Sequence, residues 1–330
     1  MKWLKNRGAK RVIAGGPHAS FAPLECLEAG FDSVAVGDAE VTLPKILQGD
    51  ASVVYGWLSD IDDALHPDRT IIDLKKYNFK VDRESATSMM TATSCAWRKC
   101  IFCSRPSNDV LRYHNVPWVL EELDQITKLG FKAVQIYDDE FFTNPMRDNQ
   151  IIKAMGERGL VWRCFGHSRF LLSNKTLVQM ASRNGLRETL IGIESGSNRI
   201  LGIIDKGTTV EMNKKAIRML HTLGIKVKCA IIIGLPSESP ETLKETWKFC
   251  TEAEPYVSDW DFTVFTPYPG SKVYAHPELF DIKFNKEEIY TAYKGAGSKA
   301  WIPPKISTTR LKNEQILQLR DKFEARFKKA

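Results

Sequence analysis

From Ser88 to Thr266 the chain alternates β-type runs with helical stretches six times over, and no other feature restricts the possible folds as tightly. Strands are expected at 88–94, 133–138, 161–166, 188–194, 226–233 and 260–266. The segments between them carry helix punctuation. Asn115 can cap a helix with Pro117 in its first turn and Gly130 at its end, Ser173 opens another that finishes at Gly185, and Thr209 to Gly224 repeats the arrangement. Strands joined by crossover helices of this length lie parallel, which predicts an α/β fold with ligands gathered at the C-terminal strand ends. Functional residues are therefore expected just after each strand. There is no internal repeat beyond this rhythm and no low-complexity segment.

The region upstream is built differently. Arg11 to Ala14 is a short β run closed by Gly15, Gly16 and Pro17, and a helix from about Pro23 ends at Gly30. A second β run, Ser33 to Val36, stops at Gly37, and a helix from Ala39 carries Val41, Leu43, Ile46 and Leu47 on its apolar side. Such a βαβα piece has too few strands to close a sheet alone. From Gln48 to about Arg83 the chain is punctuated by Asp and Pro and reads as a linker. At 330 residues, one large domain flanked by smaller pieces is expected, and 43% apolar with 26% charged residues fits a folded globular protein.

No apolar run approaches membrane-spanning length, and Met1 to Leu4 lead into a polar stretch rather than a signal-peptide core, so a cytoplasmic location without a membrane span is expected. The formal charge of +7 is dispersed, with some concentration at Arg320, Lys322, Arg326, Lys328 and Lys329. That run reads as a solvated helix face. A nucleic-acid footprint would need a basic stripe with interleaved aromatics, so no nucleic-acid partner is expected.

Seven cysteines without an export signal point to free thiols or metal ligands. Three of them, Cys95, Cys100 and Cys103, fall on one loop directly after the first strand of the regular series. Soft thiolates at this density select zinc or an iron-sulfur cluster. Structural zinc normally takes four protein ligands, and no second Cys or His pair of finger-like spacing follows, since Cys164 and Cys229 sit on separate expected strands. Three ligands leave one metal position open. A chance grouping or a zinc site stays the alternative.

With these residues in view, the sequence resembles the radical S-adenosylmethionine (SAM) superfamily, and within it the branch with an N-terminal cobalamin-binding domain. The resemblance implies an α/β fold: a partial (β/α)6 TIM-like radical SAM barrel over 88–274, preceded by half of a Rossmann-like cobalamin-binding domain over 1–50 and a linker over 51–87. A C-terminal helical extension over 275–330 follows, in which Tyr290, Tyr293, Lys294, Trp301 and Pro303-Pro304 are expected to cap the barrel mouth. The family motif has three residues between its first two cysteines, whereas Ala96 to Lys99 here make four. Its aromatic is present as Phe102, which by resemblance packs near the adenine.

Further positions follow by the same resemblance. Asp138, Asp139 and Glu140 match the acidic second-strand motif that receives the methionyl ammonium; a helix N-terminal acid cluster is the alternative. Arg169 corresponds to an arginine after the third strand that can pair with a carboxylate, or is a surface residue. Glu194 and Ser195, in Gly192 to Ser197, would reach the ribose or the methionyl group, and Ile233, Gly234 and Leu235 would lie along the adenine. Thr266 to Ser271 resembles the sixth-strand exit or is an ordinary turn. Gly15, Gly16, His18, Gly37 and Glu40 resemble the second half of the cobalamin domain, with His18 a corrinoid contact or a turn histidine. The cobalt-ligating pattern Asp-x-His-x-x-Gly is absent from the sequence.

The resemblance implies a [4Fe-4S] cluster and SAM as cofactors, with cobalamin left open. The implied reaction is reductive cleavage of SAM and hydrogen abstraction from a small-molecule or natural-product substrate, using a one-electron reductant of flavodoxin or ferredoxin type. Methyl transfer through cobalamin is one continuation. Corrinoid-independent cyclisation, rearrangement or thiolation is another, and a non-enzymatic scaffold with a structural metal site is a third.

Overall fold

The computed structural model describes residues 2–49, 51–76, 78–104, 110–289, 293–294, 301–302 and 304–328. Its strands run in the order β1 (Ile13–Ala14), β2 (Ser33–Gly37), β3 (Val53–Gly56), β4 (Lys80–Val81), β5 (Glu84–Met89), β6 (Ala92–Thr93), β7 (Arg112–Tyr113), β8 (Ala133–Ile136), β9 (Val161–Gly166), β10 (Leu186–Glu194), β11 (Lys226–Ile233) and β12 (Asp259–Val264). The main sheet has the order β12-β11-β10-β9-β8-β5-β4. Its six parallel strands follow chain order, and the sheet curls into a half barrel.

Period-two alternation builds the core. Trp162, Cys164, Ile191, Ile193, Val227, Cys229, Ile231, Ile233, Trp260 and Phe262 are buried on one face of the sheet, in a single apolar cluster with residues of the crossover helices. The other face is only partly covered, with Arg163, Phe165, Leu190, Lys228 and Asp261 at intermediate exposure. The helices begin where their caps dictate. The Asn115 side chain accepts from Trp118 N at 2.8 Å to open Val116–Lys128, and Thr209 accepts from Met212 N at 3.2 Å to open Val210–Thr222. Ser173 opens no helix; it ends Ser168–Ser173, and Asn174 stands before Lys175–Arg183.

The segment read as a linker carries structure. β3 within it pairs parallel with β2, completing a small sheet of order β1-β2-β3, and β4 pairs antiparallel with β5 at the open edge of the barrel. Both are short and flanked by turn residues, so their apolar periods are too brief to register. A buried cluster of Ala14, Ala19, Cys26, Val34 and Val36 holds the small sheet to its helices.

The C-terminal helix Asn313–Phe327 packs on the last strands of the barrel, with Ile316 beside Gly234 at the exit of β11. Its Phe323 and Phe327 pack on Phe262, Trp247 and Trp260, sealing the covered face of β12. Its basic residues meet acids: Arg326 pairs with Glu254 at 2.8 Å and Lys328 with Glu324 at 2.8 Å. Tyr290, Pro303 and Lys329, and the side chains of Tyr293, Lys294 and Trp301, lie outside the described residues.

Candidate functional site

The cysteine loop is tied at its base. β6 and β7 pair antiparallel, Ala92 opposite Tyr113 and Thr93 opposite Arg112, so the segment bearing Cys95, Cys100 and Cys103 projects as a closed excursion beyond β5. Two buried groups hold that base from below. Asp138, at the end of β8, accepts from Thr91 N and Thr91 Oγ1, both at 2.5 Å, and from Ala92 N at 3.0 Å. Arg147 donates to Thr91 O at 2.6 Å and to His114 O at 2.7 Å, bridging the two arms. Burial pushes the Asp138 carboxyl up to about 6 despite these donors.

Left-handed backbone occurs at Ser94, φ +71°, just before the first cysteine, and at exposed Arg98, φ +53°, within the four-residue gap. Between them Trp97 clasps a neighbouring turn. Its Nε1 donates to Asp205 O at 2.7 Å, and its ring lies where a Cβ on Gly207, φ +72°, would approach to 2.1 Å. Ile101 N donates to Ile204 O at 3.1 Å, so the loop is anchored on the exit of β10 as well as on β5.

None of the seven cysteines is in a disulfide, and four lie elsewhere in the fold. Cys164 and Cys229 are buried in the apolar core, where burial raises them far above the ordinary thiol range. Cys95, Cys100 and Cys103 form a group. Burial pushes Cys100 up to about 12, partly opposed by Lys206, and Cys103, Glu194 and Cys95 add to the rise. The three sulfurs thus lie within electrostatic reach of one another. Among the described residues no three His, Cys, Asp or Glu side chains converge on one point as a single bound ion requires. A cluster whose irons are each held by a different thiolate would need no such convergence, and ligation would displace the thiol protons, that of Cys100 included.

Facing this loop is a buried ion pair. Glu194, at the left-handed φ of +64° ending β10, accepts from Lys206 Nζ at 2.9 Å. A Cβ on Gly192 would stand 2.3 Å from Glu194 Oε1 and 3.0 Å from Lys206 Nζ, so this glycine makes room for the pair. Burial opposes charge on Lys206, yet Glu194, Cys100 and Glu140 outweigh it and hold the ammonium above its ordinary range. Cys100, Glu140, Glu194 and Lys206 therefore form one charged constellation at the mouth of the sheet.

A cavity of about 390 Å³ joins the loop to the N-terminal sheet. Cys103, Ser104 and Asp139 line it from the barrel, and Gly16, Ser20 and Gly37 from the small sheet. The junction is held by Arg112, which donates to both Asp38 oxygens at 2.7 and 3.0 Å, and by Phe21, whose ring stands where a Cβ on Gly270 would reach 2.3 Å. Gly16, φ +90°, has open space at its Cβ position, as close approach of a large ligand to backbone requires.

The expected residues have the following surroundings. Asp138 is the anchor of the loop base, engaged by Thr91 and Ala92. Ser195 is fully buried with its Oγ 3.2 Å from Thr246 Oγ1, against helix Pro240–Ala253. Arg169 meets no carboxylate among the described contacts; it donates to Gly207 O at 3.0 Å and its guanidinium sits 4.7 Å over the Trp97 ring. Phe102 is part-buried against the main core. Ile233 and Leu235 are fully buried, and Gly234 N, at φ +89°, donates to Glu238 Oε2 at 2.6 Å. His18 is half-exposed, 4.0 Å from Glu25, and is not part of the cavity wall. Gly15 contacts Ala35 at ordinary distance, and a Cβ on Gly37 would meet Gly56 O at 2.1 Å, so strand pairing alone accounts for that glycine. Glu40 lines a different cavity, with Met90 and Tyr137.

Lys206, Trp97, Arg147 and the buried Glu238 escaped the sequence reading. Lys206 and Trp97 offered one signal: each is a large side chain set among turn or cysteine-loop residues where small polar ones are the norm.

An open parallel β/α barrel bearing a three-thiol loop at the exit of its first parallel strand defines a cluster-dependent barrel enzyme. Residues 89–250 match the family model of the Radical SAM superfamily. This stretch is a Radical SAM domain. It is 28% identical to an uncharacterized methyltransferase of Pyrococcus horikoshii, over 80% of this chain and 62% of that protein. It is 27% identical to an anaerobic magnesium-protoporphyrin IX monomethyl ester cyclase of Rubrivivax gelatinosus, over 68% of this chain and 41% of the cyclase. The chain thus spans less than two thirds of the length of these relatives. Among solved structures, the radical SAM methyltransferase TsrM from Kitasatospora setae, with tryptophan and a SAM analogue bound, superposes with a TM-score of 0.64 at 16% identity, covering 86% of this chain and 62% of TsrM. OxsB, a cobalamin-dependent SAM radical enzyme solved with aqua-cobalamin and SAM, gives 0.59 at 18% identity, covering 98% of this chain and 50% of OxsB. Among the described residues no helix is long and apolar enough to cross a membrane.

Proposed function

We propose that this chain is the catalytic portion of a cobalamin-dependent radical SAM methyltransferase, with Cys95, Cys100 and Cys103 as cluster ligands. The observation that carries this reading is the grouping of the three thiols on a loop tied at its base, with Cys103 lining the same cavity as Gly16. When bound, the cluster, SAM and corrinoid supply the 5′-deoxyadenosyl radical and the transferable methyl group. The chain's own part is placement. Asp138 and Arg147 hold the loop, and the Glu194–Lys206 pair presents opposite charges suited to the zwitterionic methionyl end of SAM. Asp139, exposed on the cavity wall beside Cys103, is the acid of its motif placed to meet a ligand there. The buried sheet face and its helices exclude water from one side of the site.

The substrate is a small molecule or natural product, and the electron comes from a flavodoxin- or ferredoxin-type donor. Seven cysteines outside any disulfide suit the reducing cytoplasm. A corrinoid-independent radical enzyme is the second reading, favoured by a small sheet of only three strands and by Gly37 being explained through strand pairing.

Anaerobic reconstitution with hydroxocobalamin, followed by gel filtration and a visible spectrum, separates the two. Corrinoid eluting with the protein, and lost on Ser20→Trp at the cavity wall, supports methyl transfer. Corrinoid eluting free while 5′-deoxyadenosine still forms supports the second reading.

A further inference from the structure

A second cavity, of about 490 Å³, opens beside the C-terminal end of β5, and none of the cysteines is among its described lining residues. Its volume is within the range of small-molecule sites. Its lining is chemically one-sided. Glu40 and Glu122 contribute carboxylates, Trp118 and Tyr137 aromatic rings, and none of its described lining residues is Lys or Arg. Glu122 is 1% exposed, yet only one of its oxygens is engaged, by Arg69 at 2.6 Å; Oε2 has no hydrogen-bond partner. A buried carboxylate oxygen left this way is costly unless a donor reaches it.

His114 adds a further acceptor. Its Nδ1 is 2.9 Å from Asp62 Oδ1, and the same carboxylate also accepts from Asn115 N at 3.1 Å. An ionised carboxylate only accepts, so Nδ1 carries the proton and Nε2 is left as a lone pair. The imidazole is locked there by stacking on Trp118, with ring centroids 3.6 Å apart and planes 9° from parallel. On the opposite wall Tyr137 and Met90 are about half exposed, so they present apolar surface to an occupant.

Carboxylate oxygens, of which Arg69 takes only one on Glu122, an imidazole acceptor and aromatic rings, with no Lys or Arg among the described lining residues, are the elements that recognise an organic ammonium. We propose that this cavity binds a small amphiphilic amine, its ammonium directed to Glu40, Glu122 and His114 and its apolar body against Trp118, Tyr137 and Met90. The site goes beyond the radical reading and does not depend on it.

Calorimetric titration of the full chain, without iron, SAM or reductant, tests the proposal with tryptamine as probe. Tryptophol, its neutral alcohol counterpart, and indole-3-propionate, an anion of similar size, are the controls. Tryptamine is expected to bind roughly tenfold more tightly than tryptophol, with indole-3-propionate weakest of the three. Glu40→Gln, an exposed change that leaves the core intact, is expected to weaken tryptamine several-fold while sparing tryptophol; Glu122→Gln should do the same if it folds. Equal binding of all three probes, no binding of tryptamine, or tryptamine binding untouched by Glu40→Gln would overturn the assignment. Because the titration contains no cluster, its outcome is independent of whether radical chemistry is found.

Discussion

Asp138 offers the sharpest test of how the cysteine loop is held. Its carboxylate receives two backbone N–H groups and one hydroxyl, all buried, from the two residues at which the loop base begins. Asp138→Ala strands both N–H groups, while the Thr91 hydroxyl can rotate to another acceptor. At about 1–3 kcal/mol for each buried unsatisfied donor, the gross cost is about 2–6 kcal/mol. Part of this is returned because the variant no longer buries a charge. The carboxyl stands at about 6 in the fold against 3.8 for the free group, a difference worth about 3 kcal/mol at neutral pH.

The sign follows from the raised value. The fold favours the protonated acid, so the associated stability is complete below pH 3.8 and is lost as pH rises through about 6. Asp138→Asn keeps an acceptor for the backbone donors without the charge, and is expected to lie within about 1 kcal/mol of wild type near pH 7, where Asp138→Ala loses about 2–3 kcal/mol. As pH falls from 7 to 4, wild type should gain about 2 kcal/mol of stability relative to the Asn variant, which has no carboxyl to titrate. Urea unfolding of the metal-free protein under argon measures all three proteins, and iron content after reconstitution reports the loop. If the Ala variant matches the Asn variant in stability and iron uptake, Asp138 does not hold the loop and the reasoning is refuted.

Other expectations are briefer. Trp97→Ala removes the clasp on Asp205 and Gly207 and should speed loss of iron to a chelator roughly tenfold while costing only about 1–2 kcal/mol of global stability, since the ring is part-exposed; unchanged iron loss would show that the clasp is incidental. Glu238, fully buried and pushed up to about 8 by burial, should destabilise the fold as pH rises from 4.5 through 8, and Glu238→Gln should flatten that slope in a pH series of melting temperatures. An unaltered slope would place the titration elsewhere.

The barrel was legible because its strands obey a period of two long enough to read, and β9 and β11 lie at 161–166 and 226–233 as the alternation requires. The cysteine group was legible because three thiols on one loop have few other uses. Legibility failed where backbone geometry departs from a regular period. At the end of β10 the register shifts between Gly192 and Glu194, and the left-handed Glu194 turns Ser195 toward Thr246 rather than the site. The acidic run after β8 reads as three equivalent carboxylates. Only the fold divides them into a loop anchor at Asp138, a cavity wall at Asp139 and a partner for Lys206 at Glu140. Lys206 itself lies between Asp205 and Gly207 in what reads as a plain turn, and its importance arises from a contact with Glu194 twelve residues earlier.

The central claim concerns the metal content of the cysteine loop. Anaerobic reconstitution with iron and sulfide, then iron and sulfide analysis, electron paramagnetic resonance of the reduced protein and a mass-spectrometric assay for 5′-deoxyadenosine, measures it directly. The account predicts about four irons per chain with matching sulfide, together with reductant-dependent 5′-deoxyadenosine that is abolished in Cys95→Ala, Cys100→Ala and Cys103→Ala. One tightly held zinc with no sulfide, or 5′-deoxyadenosine that persists in any of the three variants, would contradict it.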